Sequence, residues 1–356
     1  MKTRIKKLQQ RLNTENLDVL LVSDLPHIRY LVGFTGSSAL LFVFRNEAHF
    51  FTDFRYKSQS AEQVKGATVH IVARQLIADA AELDALAKPN VKIGYESEYL
   101  TQASLTRFQT SLVTAVFLPT TGLVEDLAMV KDKDELSSIK GAVRISDIAF
   151  ERILGIMKPG VREDEIAAEL EYQMKMLGSS KPAFDSIIAS GWRAALPHGI
   201  ASSKKLKRGE FVTLDFGATY EGYVSDITRT VVIGKATTRQ KRIYDTVAKA
   251  QLKAIAVAKA GISCQKVDAA ARKVISKAGY GKKFGHGLGH GIGLVVHELP
   301  RLSPEANGIL QPGHVVTIEP GIYIPNWGGV RIEDDVVIRR NGCTVLNKAP
   351  KELIEL

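Results

Sequence analysis

The sequence contains few cysteines and no apolar run long enough to cross a membrane, and each absence narrows the class of protein. Only two of its 356 residues are cysteines, Cys264 and Cys343, and they lack CxxC spacing. A disulfide framework is therefore excluded, and free thiols are typical of a reducing compartment. The basic N-terminus is followed by polar residues instead of an apolar segment, so we expect no signal peptide and a cytoplasmic protein.

Several enzyme signatures are also missing. The chain contains neither HExxH nor GxSxG, which argues against a zincin protease and a serine hydrolase. Nucleotide-binding motifs of the GxGxxG and P-loop types do not fit its glycine-rich segment. The net charge of +10 comes from basic residues spread along the chain, apart from short clusters such as residues 204–208, which we interpret as solvated turns. We therefore expect no nucleic-acid partner and no membrane association.

The apolar pattern predicts two domains. Short apolar runs alternate with helical segments over residues 1–125, which indicates an N-terminal α/β domain. Turn-forming residues 118–122 (LPTTG) mark its end. Residues 126–356 combine long helices with strand-rich segments, which favours an α+β domain. Strands are predicted at residues 18–22, 39–44, 49–52, 211–218, 223–233, 314–319 and 329–338.

Four acidic residues interrupt the strands of the second domain: Asp215, Asp226, Glu319 and Glu333. Alternate side chains of a strand share a face, so Val212, Leu214 and Phe216 point to one side and Asp215 points to the other. A carboxylate in that position is costly unless its charge is compensated. One such residue alone is typical of an edge strand or a salt bridge. Four together favour a metal site, because divalent ions neutralise such clusters.

A glycine-rich segment supplies a fifth candidate ligand. Residues 284–293 (FGHGLGHGIG) contain five glycines and two histidines, His286 and His290. Glycine lets the backbone approach a neighbour closely, and imidazole is a common metal ligand. A flexible loop with exposed histidines is the alternative interpretation. Carboxylates combined with one imidazole suit Mn²⁺, Co²⁺ or Zn²⁺.

Five ordered segments resemble the motifs of the pita-bread metallopeptidases, and within that family those of the Xaa-Pro peptidases, prolidase and aminopeptidase P. They are residues 214–217 (LDFG), 225–230 (SDITRT), 289–293 (GHGIG), 317–321 (TIEPG) and 329–333 (GVRIE). The resemblance extends from about Leu127 to the C-terminus. It implies a pita-bread catalytic domain over residues 126–356, of the α+β class. A smaller α/β domain of the creatinase/prolidase type, residues 1–125, would precede it.

The resemblance also implies a dinuclear site that hydrolyses the peptide bond before proline. The implied ligands of two divalent ions are Asp215, Asp226, His290, Glu319 and Glu333. Mn²⁺ is favoured, with Co²⁺ or Zn²⁺ as alternatives. Asp226 and Glu333 would contact both ions, and Glu319 would accept the proton of the attacking water. The implied partners are proline-containing peptides and a second copy of the chain in a homodimer.

Three further residues match family positions around the ions. His198 would hold the substrate or the developing oxyanion, and His297 would hydrogen-bond the substrate carbonyl on the proline side. Arg331 would belong to the proton network of the site. A purely structural histidine is the alternative for each of the two imidazoles. For His286, support of His290 and simple loop structure are both open.

Two positions bear on the substrate and on the proton network. Arg301 resembles the arginine with which prolidases bind the free carboxylate of a dipeptide, a task that suits a guanidinium. An ordinary surface arginine is the alternative. Ala128 stands where the family often has arginine, so the network around Arg331 would be altered or completed differently. We favour a Xaa-Pro dipeptidase, with a Xaa-Pro aminopeptidase that acts on longer peptides as the alternative.

Two other functions are disfavoured. Methionine aminopeptidase shares the catalytic domain, but the extra N-terminal domain argues against it. A peptide-binding relative without activity would lack metal ligands, whereas all five are present. In a homodimer, Tyr30, Asp53 and Arg55 would help to enclose the partner's site, although residues 52–56 also fit a strand end with a turn.

Overall fold

The computed structural model describes residues 2–73 and 75–356. They form two compact units, which meet in the sequence between Ala128 and Met129. Each unit has an apolar core of its own. Among the described residues, no helix is long and apolar enough to span a membrane.

The first unit is built on a six-stranded sheet. Its strands are β1 (Val19–Val22), β2 (Leu40–Phe44), β3 (Ala48–Asp53), β4 (Thr68–Val72), β5 (Lys92–Glu96) and β6 (Val116–Thr120). Its helices are α1 (Lys2–Thr14), α2 (Leu25–Val32), α3 (Lys57–Gln63), α4 (Leu76–Ala81), α5 (Gln102–Ser111) and α6 (Glu125–Met129). The strand order is β4-β3-β2-β1-β5-β6. Strands β3 and β4 are parallel, as are β1, β5 and β6, and the other pairs are antiparallel.

Local sequence explains how α2 begins and ends. The side chain of Asp24 accepts a hydrogen bond from the backbone N–H of His27 at 3.2 Å and so caps the helix. Pro26 lies in the first turn, where no backbone donor is needed. Gly33 ends the helix at φ 88°, a conformation that glycine adopts without strain.

The second unit combines four helices with antiparallel strands. Its helices are α7 (Lys133–Ile153), α8 (Glu163–Met176), α9 (Thr238–Val257) and α10 (Cys264–Lys277). Its strands are β7 (Ile187–Ser190), β8 (Phe211–Phe216), β9 (Thr219–Tyr220), β10 (Tyr223–Val224), β11 (Ile227–Val232), β12 (Gly289–Gly291), β13 (Glu298–Leu302), β14 (Val315–Ile318), β15 (Gly321–Ile324), β16 (Gly328–Arg331), β17 (Asp334–Arg339) and β18 (Gly342–Val345).

These strands form two larger sheets and two hairpins. One sheet has the order β11-β8-β7 and the other β13-β12-β14-β17-β18, while β9 pairs with β10 and β15 with β16. Helix α7 packs with α8 and α9 packs with α10. One apolar core includes α9 and α10, and another includes α7, α8 and the apolar face of β8. The predicted α+β class of this part of the chain is confirmed.

Two strands predicted as continuous are broken. Instead of one strand over residues 223–233, β10 pairs with β9 and β11 pairs with β8. Likewise, β16 pairs with β15 whereas β17 pairs with β14. Asp226 and Glu333 therefore lie at breaks between strands and not inside them. Alternating apolar residues predict extended backbone but not a change of pairing partner, so the prediction merged each pair.

Candidate metal centre

Asp215 extends from the middle of β8 on the side opposite the apolar core. Val212, Leu214 and Phe216 are fully buried in that core, and the alternate positions carry Thr213 and Asp215. In the antiparallel register, Asp215 lies opposite Thr228 of β11. This polar face of β8 and β11 forms one wall of the site.

Asp226 and Glu333 are held at the strand breaks by hydrogen bonds from outside the regular ladders. The backbone N–H of Asp226 donates to Oδ2 of Asp335 at 3.0 Å, and that of Glu333 donates to the carbonyl of Thr228 at 3.1 Å. The Thr228 hydroxyl donates to Oε2 of Glu333 at 2.5 Å. At each break the carboxylate points into the site, while the backbone N–H of the same residue keeps a hydrogen-bond partner.

His290 lies in β12, between β13 and β14. A Cβ at Gly289 would lie 2.1 Å from the carbonyl oxygen of Thr317, and one at Gly291 would lie 2.0 Å from that of Leu299. The glycines thus allow close approach to neighbouring backbone. His290 Nδ1 lies 3.0 Å from the Gly291 carbonyl, which can only accept, so Nδ1 carries the ring proton and Nε2 is the unprotonated nitrogen that faces the carboxylates.

The side chains of Asp226, Glu319 and Glu333 converge on the His290 ring. The ligand atoms of Asp226, His290 and Glu333 lie within 4.8 Å of one another. His290 Nε2 is 3.4 Å from Oε1 of Glu319 and 3.8 Å from Oδ2 of Asp226. Oδ1 of Asp215, Oδ1 of Asp226 and Oε1 of Glu333 are buried and have no hydrogen-bond partner among the described residues. Such orphaned oxygens beside an imidazole fit a divalent cation.

The electrostatics of the cluster agree with that fit. Burial, followed by repulsion from neighbouring carboxylates, raises the pKa of Asp226 and of Glu333 well above the usual range. Burial raises the pKa of Glu319 to about 8, and burial lowers the pKa of His290 to about 3. Without a cation the cluster would take up protons, and a neutral imidazole is the form that binds metal.

Arg331 connects the carboxylates to Thr228 and Tyr323, neither of which was predicted from the sequence as a site residue. Its guanidinium forms an ion pair with Asp215, and its Nε donates to the Thr228 hydroxyl at 2.9 Å. Nη1 donates to the Tyr323 hydroxyl at 2.8 Å, and that hydroxyl lies 2.9 Å from Nε2 of His286. His286 is therefore bonded to the Arg331 group, not to His290. Tyr323 follows the TIEPG motif closely, and the β15–β16 pairing brings it beside Arg331.

A cleft of about 840 Å³ is lined by the four carboxylates, the two histidines of the glycine-rich segment, Tyr323 and Arg331. The same cleft also contains His198, His297 and Arg301. All three are exposed. The His297 ring packs edge-on against the His290 ring, with centroids 4.5 Å apart. Arg301 forms no ion pair with any described residue. The structure thus brings every residue proposed from the sequence for the second unit into one cleft.

The residues suggested in the first unit have local roles. The Tyr30 hydroxyl donates to the carbonyl of Leu127 at 3.0 Å. Asp53 ends β3 and accepts two side-chain hydrogen bonds from Arg55, both at 2.8 Å. A 3₁₀ turn, Phe54–Tyr56, follows. This arrangement favours the strand end with a turn. Ala128 is buried in the same unit.

Comparison with known proteins identifies the class. The model of metallopeptidase family M24 matches residues 137–340, and that of the creatinase/prolidase N-terminal domain matches residues 4–130. The chain therefore belongs to metallopeptidase family M24, as the motifs predicted, and carries the creatinase/prolidase type of N-terminal domain.

Individual relatives cover the chain almost completely. The structure of a Xaa-Pro dipeptidase from Bacillus anthracis is 42% identical with a TM-score of 0.96, and 99% of each chain is covered. A Xaa-Pro dipeptidase from Pyrococcus horikoshii is 38% identical, again with 99% of each chain covered. The structure of an X-Pro aminopeptidase from Thermotoga maritima is 37% identical with a TM-score of 0.90, and covers 98% of this chain and 99% of its own.

Proposed function

We propose that this chain is a dinuclear metallopeptidase that hydrolyses Xaa-Pro dipeptides. The observation that carries the proposal is the buried group of Asp226, His290 and Glu333, whose ligand atoms lie within 4.8 Å of one another. Membership of the M24 family and the similarity to the Bacillus anthracis dipeptidase support the same activity. A metallopeptidase of the Xaa-Pro type is thus the function that best accounts for the site.

Five residues are the proposed ligands of two divalent ions: Asp215, Asp226, His290, Glu319 and Glu333. Such ions, when bound, lower the pKa of water and polarise a carbonyl group. A ligand set of oxygens with a single imidazole favours Mn²⁺, with Co²⁺ or Zn²⁺ as alternatives. Elemental analysis of the purified protein, followed by chelation and reloading with each ion, would identify the metal that restores activity.

The remaining residues of the cleft have proposed roles in binding and proton transfer. Glu319 would accept a proton from the attacking water and pass it to the departing amine. His198 and His297 would hydrogen-bond the substrate and the oxyanion that develops on it. Arg331, through its ion pair with Asp215 and its hydrogen bond with Tyr323, holds one carboxylate in position.

Arg301 supports the preference for dipeptides. It is an exposed cation in the cleft wall with no carboxylate partner among the described residues, so its guanidinium is available to a ligand. The C-terminal carboxylate of a dipeptide lies one residue from the scissile bond and would form a bidentate pair with it. A Xaa-Pro aminopeptidase is the second candidate, because the Thermotoga maritima aminopeptidase has the same fold at 37% identity.

An assay on the Mn²⁺-loaded protein separates the two candidates. We expect hydrolysis of Xaa-Pro dipeptides and little or none of Xaa-Pro-Pro tripeptides, and Arg301→Ala should raise KM for dipeptides about tenfold or more without a similar loss in kcat. Lys283→Ala, which removes another cation from the same cleft, is the matched control and should leave KM nearly unchanged. A preference for tripeptides, with no effect of Arg301→Ala, would indicate the aminopeptidase.

The assembly and location of the protein are part of the proposal. Family similarity favours a homodimer, and the absence of a disulfide framework favours the cytoplasm. Light scattering coupled to gel filtration would measure the oligomeric state, and fractionation of the native cells would establish the location of the protein.

A further inference from the structure

The carboxylate of Glu163, at the start of α8, does not line the cleft and is fully buried. It nevertheless joins the two ends of the segment that carries His198. Oε1 accepts from the backbone N–H and the hydroxyl of Ser190 at 2.7 and 2.8 Å. Oε2 accepts from the N–H and the hydroxyl of Ser202 at 3.2 and 2.6 Å, and from Arg193 Nε at 2.9 Å.

Residues 191–201, between the two serines, form the His198 loop. Arg193 spans its interior, because Nη2 donates to the carbonyl of Ile200 at 2.5 Å. A carboxylate offers about four lone-pair positions, so five donors saturate Glu163. A buried carboxylate is costly unless it is paired in this way. The loop is therefore the partner that accounts for the burial of Glu163.

On another side, the His198 loop packs against β16. A Cβ at Gly329 would lie 2.1 Å from the carbonyl oxygen of Ala194, so the two backbones are in direct contact. Strand β16 ends at Arg331, which is bonded to Asp215. The His198 side chain itself forms no hydrogen bond with any described residue, so no hydrogen bond of its own fixes it at the cleft.

We propose that Glu163 is a positioning residue that fixes His198 at the cleft by joining both ends of its loop. It acts through His198 and does not contact the substrate. The proposal rests on the proposed function in one respect, that His198 contacts the substrate.

Glu163→Gln tests the proposal in the full-length, Mn²⁺-loaded protein. The amide NH₂ would face N–H and O–H donors at whichever end of the loop it replaced an oxygen, so the side-chain hydrogen bonds at that end are lost. We expect kcat/KM for a Xaa-Pro dipeptide to fall roughly tenfold or more, with unchanged metal content. Ser202→Ala, which removes one donor, should give a smaller loss and serves if Glu163→Gln does not fold. Glu169→Gln, on the same helix but bonded to Gln173, is the matched control.

A double-mutant cycle distinguishes positioning from a general effect on folding. Because Glu163 acts through His198, adding Glu163→Gln to His198→Ala should cause no further loss in kcat/KM. If the two losses multiply, the proposal is wrong. A Glu163→Gln variant as active as the unmodified protein would also contradict it.

Hydrogen exchange followed by mass spectrometry gives a readout that does not depend on catalysis. Glu163→Gln should accelerate exchange at the bonded amides of Leu196, Gly199 and Ile200, and Glu169→Gln should not. Unchanged exchange in the loop would overturn the proposal even if activity fell. If the unmodified protein cleaves no Xaa-Pro substrate, the proposed function fails, while faster exchange in the variant would still establish that Glu163 fixes the loop.

Discussion

At the residue scale, one hydroxyl group joins two side chains of the cleft wall. The Tyr323 hydroxyl accepts from Arg331 Nη1 at 2.8 Å and lies 2.9 Å from His286 Nε2. Burial raises the pKa of Tyr323 to about 12, so the group stays protonated and donates to the imidazole. Burial lowers the pKa of His286 to about 4, which leaves that ring neutral and able to accept.

Tyr323→Phe should therefore destabilise the protein, because removal of one hydroxyl deprives two buried polar groups of their partner. The substitution leaves a buried N–H of Arg331 and a ring nitrogen of His286 without a partner, at a cost of about 1–3 kcal/mol. We expect urea unfolding to report a loss of that size, together with lower activity because Arg331 also holds Asp215. The exposed Tyr172→Phe is the control. A loss below about 0.5 kcal/mol would show that the hydroxyl does not hold the guanidinium.

At the scale of secondary-structure elements, the break between β16 and β17 is supported by Arg229, which is almost fully buried. Its five hydrogen bonds go to the carbonyl oxygens of Thr228, Glu333, Ala349 and Pro350 and to Oδ1 of Asp334. The C-terminal segment then continues along β11, where Leu356 donates to the carbonyl of Val232. Arg229 thus connects the segment at the C-terminus to the backbone of a proposed metal ligand.

Arg229→Lys should weaken both connections, because an ammonium group cannot reach five acceptors. We expect about 3 kcal/mol of lost stability in urea, since Lys351 still pairs with Asp334 at 2.8 Å, and weaker metal binding by calorimetry. Lys235→Met removes an exposed ion pair to Glu355 of the same segment, 2.9 Å long, and should cost far less. Equal losses in the two variants would contradict this account.

In the first unit, the attachment of α2 to β5 depends on pH through His27. Nδ1 of His27 lies 2.6 Å from Oε1 of Glu96, while Oε2 accepts from the backbone of Ser23 and Asp24. Burial opposes protonation of the imidazole, but the hydrogen bond and the charges of Glu96 and Asp24 outweigh it and raise the pKa of His27. The folded state therefore binds the proton more tightly than the unfolded state.

The sign of the pH dependence follows from this raised pKa. The stabilisation is complete below the unfolded pKa of about 6.5 and is lost as the pH rises through the higher folded value. In urea unfolding, His27→Gln should remove part of the decline in stability as the pH rises above the unfolded value of about 6.5. His314→Gln should change the curve in the opposite direction: burial lowers the pKa of that ring to about 4, so the unmodified ring contributes stability that is gained as the pH rises through the unfolded value of about 6.5. Parallel pH curves for His27→Gln and the unmodified protein would contradict the prediction.

At the scale of the whole molecule, metal binding should be a major source of stability. The proposed ligands are brought together from β8, β12 and three segments between or after strands, so an ion that binds them stabilises only the folded state. At a free metal concentration of 100 times Kd, binding stabilises the folded state by about 2.7 kcal/mol. Chelation should lower the thermal midpoint by roughly 5–10 °C, as measured by calorimetry.

Glu333→Gln tests whether that stabilisation arises at the proposed site. The variant should lose most of the metal-dependent shift and nearly all activity. Without metal it should be at least as stable as the unmodified protein, because one like charge leaves a buried cluster. Glu305→Gln, which alters an exposed carboxylate of the same unit, should keep the full shift. A full shift in Glu333→Gln would place the stabilising ion elsewhere.

The sequence by itself determined the class of fold, the family and the candidate ligands. Apolar alternation around Asp215 was enough to predict that its side chain points to the polar face of β8, because side-chain direction in a strand follows from local geometry. The ordered motifs were enough to predict the M24 family, which the comparisons confirm. Both signals lie within short stretches of chain.

Only the tertiary structure decided which residues support the site. The Arg331–Asp215 ion pair joins residues 116 positions apart, and the Arg229–Glu333 bond joins residues 104 positions apart. Strand breaks at Asp226 and Glu333, and the roles of Tyr323 and Glu163, depend on such distant partners. Apolar periodicity records burial but not the identity of a hydrogen-bond partner, so these features required the folded chain.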